Sequence, residues 1–271
     1  MSLIAVAVSG RGLVDPDEPL IYADDEGFLR GRAAFETTRV YRGRPFRLER
    51  HRARLWESSK RLNLSIPAGV ESLVAEVLAA AGPVDAVLRL YVTPGREDRR
   101  EPVVLVLVAE LPADLEELRA RGIRLIPIPL GVDPPWLLGG VKSTSYAANM
   151  VATQKARLHG ADDAVFVARD RIVLEGPTTN VWWRRGDTLF TPSLELGVLA
   201  GVTREALVEA APALGYRVEE GVYPLEDLLI ADEAFTSSSV REVMPVAAVG
   251  GRTFAPGEAA QALQAALRAL T

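Results

Sequence analysis

The sequence predicts a mixed α/β protein of the α+β class in two domains, the second formed by a barrel-like β sheet with helices around it. Three observations predict this. In the first half, β-branched runs of strand length are joined by short turns and interleaved with stretches of helical spacing. A proline cluster, Pro127-Ile128-Pro129-Leu130-Gly131-Val132-Asp133-Pro134-Pro135, then interrupts the chain. After it, four short apolar runs follow in close succession, the pattern of a strongly bent antiparallel meander.

In chain order, Leu3 to Val8 reads as a strand ending in the turn Ser9-Gly10-Arg11-Gly12. Phe35 to Tyr41 alternates like a strand, and Arg42-Gly43-Arg44 turns it into Pro45-Phe46-Arg47-Leu48 as a hairpin. Leu48 to Leu62 and Val70 to Ala81 have helical spacing, the second stopped by Gly82-Pro83. Val84 to Val92 and Val103 to Val108 are two further strands flanking a charged loop from Gly95 to Glu101, and Leu115 to Arg121 is a short helix. The prolines exclude a regular helix or central strand, so residues 127–138 are expected to connect a domain of residues 1–119 to one of residues 120–271. A helix is expected from Ser143 to His159, closed by Gly160. The meander is Ala164 to Val167, Ile172 to Leu174, Val181 to Trp183 and Thr188 to Phe190, with Arg169-Asp170-Arg171 and Arg185-Gly186-Asp187 as turns. Helices begin near Thr203 and Gly257, and Asp232 to Phe235 forms another strand.

Composition narrows the chemistry. In 271 residues the apolar share is 48% and the charged share 25%, as in an ordinary globular protein, and the net charge of −5 gives no footprint for nucleic acid or an anionic membrane. Without cysteine there is no disulfide, thiolate nucleophile or cysteine-bound zinc, and two histidines do not make a histidine metal cluster. The first residues lack the basic and long apolar regions of a signal peptide, and no apolar run reaches transmembrane length, so a cytoplasmic enzyme is expected.

Lysine is scarce: of 31 basic residues only Lys60, Lys142 and Lys155 are lysine. Lys60 and Lys155 lie on arginine-rich solvated helix faces, whereas Lys142 follows the pair Gly139-Gly140, which lets the backbone pass close to something. Glu175 ends a strand before a Gly-Pro turn, as a functional carboxylate or an ordinary turn residue. Gly197-Val198-Leu199-Ala200-Gly201-Val202-Thr203-Arg204-Glu205 runs a glycine-containing loop into a helix, either an anion site at the first amides or a capping box with Thr203 as the cap. Thr236-Ser237-Ser238-Ser239 offers hydroxyls at a strand end, and Arg54 can fork onto a phosphate.

Their order and spacing resemble the class IV (fold type IV) pyridoxal-phosphate enzymes: D-amino-acid and branched-chain aminotransferases and aminodeoxychorismate lyase. The resemblance runs from about Asp25 to Val249 and includes Gly27-Phe28-Leu29, Phe35-Glu36-Thr37-Thr38-Arg39-Val40, His51-Arg52-Ala53-Arg54-Leu55, Lys142-Ser143, Glu175-Gly176, Asn180, Gly201-Val202-Thr203-Arg204, Ala231-Asp232-Glu233 and Met244-Pro245-Val246. It implies pyridoxal 5′-phosphate as cofactor and Lys142 as the catalytic Schiff-base lysine. Glu175 would keep the pyridine nitrogen protonated. Arg54, the amides of Val202 and Thr203, and Ser238 or Ser239 would bind the phosphate. Tyr146 would reach the cofactor's phenolic oxygen or serve as a core residue of its helix. The chemistry fits, because a lysine with a pKa near 10.4 needs a site that disfavours its ammonium form, and a positive pyridinium is an electron sink.

Around the substrate the sequence departs from the family's frequent Gly-Asp-Gly, reading Arg30-Gly31-Arg32-Ala33-Ala34 before Phe35. In this fold that region borders the substrate pocket, commonly the neighbouring subunit's. Arg30 is a candidate to grip a substrate carboxylate, with Arg89 as its partner. Arg89 interrupts an apolar strand and needs a ligand or counter-charge. Arg96, Arg99 and Arg100 form a third set, solvated or binding. The favoured activity is ping-pong transfer from a D-amino acid to 2-oxoglutarate or pyruvate. Aminodeoxychorismate lyase comes next, then branched-chain aminotransferase, then a non-catalytic vitamin B6 carrier. The resemblance implies a homodimer.

Overall fold

The computed structural model describes residues 2–96 and 101–271. It divides into two units, Met1–Pro112 with Val141–Tyr146, and Ala113–Gly140 with Ala147–Thr271. The helix Leu115–Arg121 lies in the second unit, where Arg119 Nε reaches Val243 O at 3.4 Å. The short segment 141–146 belongs to the first unit through backbone pairing described below.

The first unit contains β1 (Leu3–Val8), β2 (Gly12–Val14), α1 (Glu26–Leu29), β3 (Ala34–Tyr41), β4 (Arg44–Pro45), α2 (Leu48–Arg61), α3 (Val70–Ala81), β5 (Ala86–Thr93) and β6 (Val103–Glu110). Its sheet has six antiparallel strands in the order β2-β1-β6-β5-β3-β4. Side chains alternate between faces along a strand. Ala34 and Val40 of β3, Leu88, Leu90 and Val92 of β5, and Val104, Val106 and Val108 of β6 are buried in one cluster with Leu55 of α2 and Val70, Leu73, Val74 and Val77 of α3. Each of the valines and leucines contributes roughly 1.5–3 kcal/mol on burial. The opposite face presents Phe35, Thr37, Arg89 and Tyr91, all half-buried. Buried Asp25 caps α1, accepting from Gly27 N at 2.7 Å and Thr93 Oγ1 at 2.5 Å.

The second unit contains α4 (Leu115–Arg121), β7 (Ile123–Pro129), α5 (Ala147–Leu158), β8 (Asp163–Val167), β9 (Asn180–Arg185), β10 (Thr188–Pro192), α6 (Val202–Ala210), β11 (Arg217–Gly221), α7 (Leu225–Leu229), β12 (Glu233–Ser238), β13 (Glu242–Val249), β14 (Arg252–Thr253) and α8 (Glu258–Ala269). Seven strands run in the order β11-β10-β9-β12-β13-β7-β8, with β14 paired to β13. Buried Trp183, Met244, Val246 and Leu228 occupy the core of this unit.

The sheet is mixed rather than an antiparallel meander, since β13–β7, β7–β8 and β10–β11 pair in parallel. Ile172–Leu174 is not a full strand. It makes single bridges, Val167 to Val173 and Ile172 to Pro224, and Val173 N donates to Tyr223 O at 2.9 Å. This segment therefore links the strand at one end of the sheet to the chain just past the strand at the other, which gives the barrel-like form.

The prolines also behave differently from expectation, since Pro127 and Pro129 lie within β7. Successive amides of a strand face opposite edges. Leu130 N donates to Val167 O at 2.9 Å, so the even-numbered amides face β8 and positions 127 and 129 face away. On that side the pairing with β13 ends at Leu125, so the missing donors leave no ladder bond unmade. No helix among the described residues is long and apolar enough to cross a membrane.

Candidate active site

The helix expected from Ser143 to His159 is Ala147–Leu158, so Lys142 lies five residues before its start. Residues 142–144 run beside the start of β3 instead: Phe35 N donates to Lys142 O and Thr144 N to Ala33 O, each at 2.9 Å, with a bridge between Ala34 and Ser143. Helix α2 supplies a further support, Ser58 Oγ accepting from Lys142 N at 3.1 Å. The Lys142 side chain is 9% exposed. Its Nζ stands 4.4 Å from the centre of the Phe35 ring and 3.4 Å from Tyr146 Oη, a long hydrogen bond. Phe35 stacks on Tyr91 at 5.6 Å and meets Tyr146 edge-on at 5.1 Å. The amine thus lies over an aromatic face with a phenol within reach.

On the other face of β3, Glu36 is 1% exposed. Arg54 forks onto it, Nε to Oε1 at 2.6 Å and Nη2 to Oε2 at 2.8 Å, and His51 Nδ1 lies 2.7 Å from Oε2. Burial alone pushes the Glu36 carboxyl up, but the charge and hydrogen bonds of Arg54, with those of His51, outweigh it and hold the group at about 2. Burial pushes His51 below its ordinary value despite the bond to Glu36. The neutral ring then donates from Nδ1, and its buried Nε2 has no partner among the described residues.

In the second unit, Glu175 follows the bridging segment 172–174. Its backbone O accepts from Phe166 N at 2.8 Å and its Oε2 from Leu199 N at 3.0 Å. Asn180 Nδ2 donates to Leu199 O at 2.9 Å, and Asn149 Nδ2 to Pro177 O at 2.6 Å. Glu175 and the loop 197–201 are thus fastened to each other. The glycine pair makes the close approach its composition implies: a Cβ on Gly139 would lie 2.9 Å from Gly197 Cα. Helix α6 is capped by Gly201, with no side-chain cap, and Thr203 is its second residue rather than the cap. The amides at such a start have no acceptor within the helix and favour an anion. Strand β12 runs on through Ser238, longer than expected, so Ser238 and Ser239 stand at the entry to the β12–β13 turn, both half-buried.

The sequence-derived residues therefore fall into separate groups. Lys142, Tyr146 and Phe35 come together, and Arg89 shares the sheet face of Phe35, since it pairs with Thr37 two residues along. Arg54 is engaged by Glu36. Arg30 is exposed at the end of α1 and makes no ion pair among the described residues. Arg96 stacks over Tyr22 at 5.3 Å and meets Asp24 at 3.3 Å. Arg99 and Arg100 lie outside the described residues. Sequence reasoning gave no role to Glu36, His51, Ser58 or Asn149. The signal for the first three was present: an acid on the apolar face of a strand, and polar residues at helical spacing on the buried face of α2.

The family model described as amino-transferase class IV matches residues 33–249. The chain belongs to the class IV aminotransferases. It is 32% identical to an aminodeoxychorismate lyase of Bacillus subtilis, over 96% of this chain and 92% of that one. It is also 32% identical to a bifunctional aminodeoxychorismate lyase / D-amino acid transaminase of Mycobacterium tuberculosis, over 92% of each chain. Among solved structures, a hypothetical aminotransferase from Mycobacterium tuberculosis in its PLP-bound form superposes with a TM-score of 0.91 at 30% identity, over 98% of both chains. Class IV aminotransferases use pyridoxal 5′-phosphate, and the groups present here fit it: a nearly buried amine beside aromatic rings, a fixed carboxylate, and a helix start left uncapped by any side chain.

Proposed function

We propose that this aminotransferase moves the amino group of a D-amino acid to a 2-oxo acid such as 2-oxoglutarate or pyruvate. The cofactor supplies an aldehyde and an electron-withdrawing ring. Lys142 would hold that aldehyde covalently and, when free, would carry the proton at the substrate Cα. Glu175, its carboxylate fixed by Leu199, would keep the pyridine nitrogen protonated. Val202 and Thr203 give amides to the phosphate, Ser238 and Ser239 give hydroxyls, and Arg54 gives charge while Glu36 orients it. Tyr146 holds a proton beside the Lys142 amine.

The observation that carries the substrate reading is the half-buried Arg89 on the sheet face that bears Phe35 and Tyr91, next to the Lys142 amine. A cation one pleat along the sheet face from Phe35, over which the Lys142 amine lies, suits a small carboxylate substrate. Arg30 and Arg99 are proposed as further contacts to that carboxylate.

Half-reactions with D- and L-alanine and with D- and L-glutamate test the reading, followed by the spectrum of the bound cofactor. Conversion to the amino form by the D-isomers supports it, and reaction of L-leucine and L-valine alone overturns it. The second reading, aminodeoxychorismate lyase, is favoured by the two relatives at 32% identity, and release of 4-aminobenzoate from aminodeoxychorismate would establish it. No change with any amino donor would point to a vitamin B6 carrier. A homodimer in the cytoplasm belongs to the same proposal; light scattering should give twice the mass of the chain, and cell fractionation checks the compartment.

A further inference from the structure

The hairpin that carries Ser238 and Ser239 turns on a buried carboxylate. Ser238 pairs with Glu242 across the β12–β13 ladder, which leaves Ser239, Val240 and Arg241 as the loop. Loops of this length commonly close on a residue in the left-handed region, where glycine is the usual occupant. Here that corner is Glu242, with φ +58°, and it is 1% exposed. A side chain in this conformation costs free energy that glycine does not.

What the side chain does offsets that cost. Its Oε2 accepts from Arg119 Nη2 of α4 at 3.0 Å, and from Gln264 Nε2 and Arg268 Nη2 of α8 at 2.8 and 3.0 Å. The same helices grip the loop backbone. Arg119 Nη2 donates to Arg241 O at 2.9 Å, and Gln264 Oε1 accepts from Val243 N at 2.8 Å. From the opposite side, Arg241 Nη1 reaches Asp163 Oδ2 on β8 at 2.7 Å, and Ser238 Oγ accepts from Arg241 N at 3.2 Å. The loop is therefore fixed through its backbone and through Arg241. A carboxylate this near an anion site would repel the anion if it stood alone. Between Arg119 and Arg268 its charge is compensated.

We propose that Glu242 is a positioning residue that holds the Ser238–Arg241 loop in the shape that receives the cofactor's phosphate. This rests on the phosphate role proposed for Ser238 and Ser239. The test measures binding of inorganic phosphate, pyridoxal 5′-phosphate and unphosphorylated pyridoxal to the cofactor-free protein by calorimetry, with thermal midpoints alongside. Glu242→Gly gives the backbone its preferred residue and removes the anchor. It should weaken both phosphate ligands about tenfold, the equivalent of one charge-assisted hydrogen bond, and leave pyridoxal unchanged. Glu242→Gln keeps an acceptor and should weaken them less, about threefold, with the same selectivity. Equal weakening of pyridoxal, or a fall in thermal midpoint with phosphate affinity intact, would mean a structural role only and overturn the inference. If Glu242→Gly does not fold, unchanged phosphate affinity in Glu242→Gln overturns it. The double variant Ser238→Ala/Ser239→Ala separates the two layers. Wild-type phosphate affinity there removes the loop from the phosphate site. Weakened affinity there with no effect at Glu242 sinks this inference alone.

Discussion

Glu36 and Arg54 share a two-pronged hydrogen bond, 2.6 Å from Nε and 2.8 Å from Nη2, with the Glu36 side chain 1% and the Arg54 side chain 12% exposed. One face of β3 thereby sets the arginine, while the next residue back on the other face, Phe35, sets the Lys142 amine. Because neighbouring side chains on a strand point to opposite faces, a single strand orients both a phosphate-binding candidate and the amine proposed to react.

Removing the Glu36 charge leaves Arg54 nearly buried without its counter-ion. Glu36→Gln should cost about 3–5 kcal/mol of unfolding free energy, read from urea denaturation at pH 7. A loss within about 0.5 kcal/mol would show that the pair contributes little beyond what water returns.

The same trio sets an acid response. Glu36 is lowered from 4.5 to about 2, so its contribution is full above 4.5 and is lost as pH falls toward 2. His51 is lowered from 6.5 by burial, so below pH 6.5 the unfolded chain takes up a proton that the folded chain refuses, and stability falls there too. Acidification therefore acts in two stages, His51 first. Asparagine places a donor near the position of Nδ1 but does not titrate. In His51→Asn the thermal midpoint should hold steady over the first stage and fall only in the second.

Lys142 should be the position labelled when the loaded protein is reduced with borohydride and its peptides are mapped. Lys142→Ala should take no label and lose about 10²–10⁴-fold or more in transfer rate, since the proposed proton carrier at Cα is gone. Label on Lys60 or Lys155 would contradict the assignment. Tyr146→Phe keeps the ring contact to Phe35 and should fold normally while slowing transfer about tenfold.

The regular elements were legible because their periods are local. The helix Val70–Ala81 and the strand Leu3–Val8 have the expected ends, written by apolar spacing and by Gly82. What spacing alone does not reveal is pairing between distant segments. Residues 143–146 have a helical pattern, yet Thr144 N bonds to Ala33 O and the hydroxyls of Thr144 and Ser145 bond to Gly31 O, more than a hundred positions earlier. Pro127 and Pro129 looked like strand breakers because the end of the β13 ladder at Leu125 is a tertiary fact. Among the candidate residues, Lys142, Glu175 and the loop before α6 stood out by residue type and order. Glu36 and His51 did not, because their meaning lies in a contact between a strand and a helix.

Arg89 separates specificity from chemistry. Its guanidinium stands on the face of Phe35, away from the buried Glu36 side of the sheet. If it holds the substrate carboxylate, Arg89→Gln should raise KM for 2-oxoglutarate about 10–100-fold, the worth of a hydrogen bond between charged groups, with a smaller change in kcat. Arg89→Lys should recover part of this, since it restores charge but not the fork. Unchanged KM in both variants would leave Arg89 a structural residue.

Gly31 tests whether the lysine segment is held from behind. Its φ is +68°, and a Cβ built there would lie 2.6 Å from Ser145 Oγ and 3.1 Å from Ser145 Cα. The carbonyl of the same residue accepts from Thr144 Oγ1 at 3.1 Å and Ser145 Oγ at 3.0 Å, so Gly31 is both the space and the anchor for residues 144–145. Gly31→Ala should cost about 1–2 kcal/mol from the backbone conformation alone. Pushing Ser145 back also shifts residues 142–146 away from β3, and with them the Lys142 amine over Phe35. Transfer should then fall by more than the stability loss implies, measured where the variant is still fully folded. In Gly31→Ala/Ser145→Ala the hydroxyl clash is gone, while the contact at Cα and the strained φ remain. Activity should recover in part and stability hardly at all. Full activity in Gly31→Ala itself would show that the lysine segment keeps its place without this support.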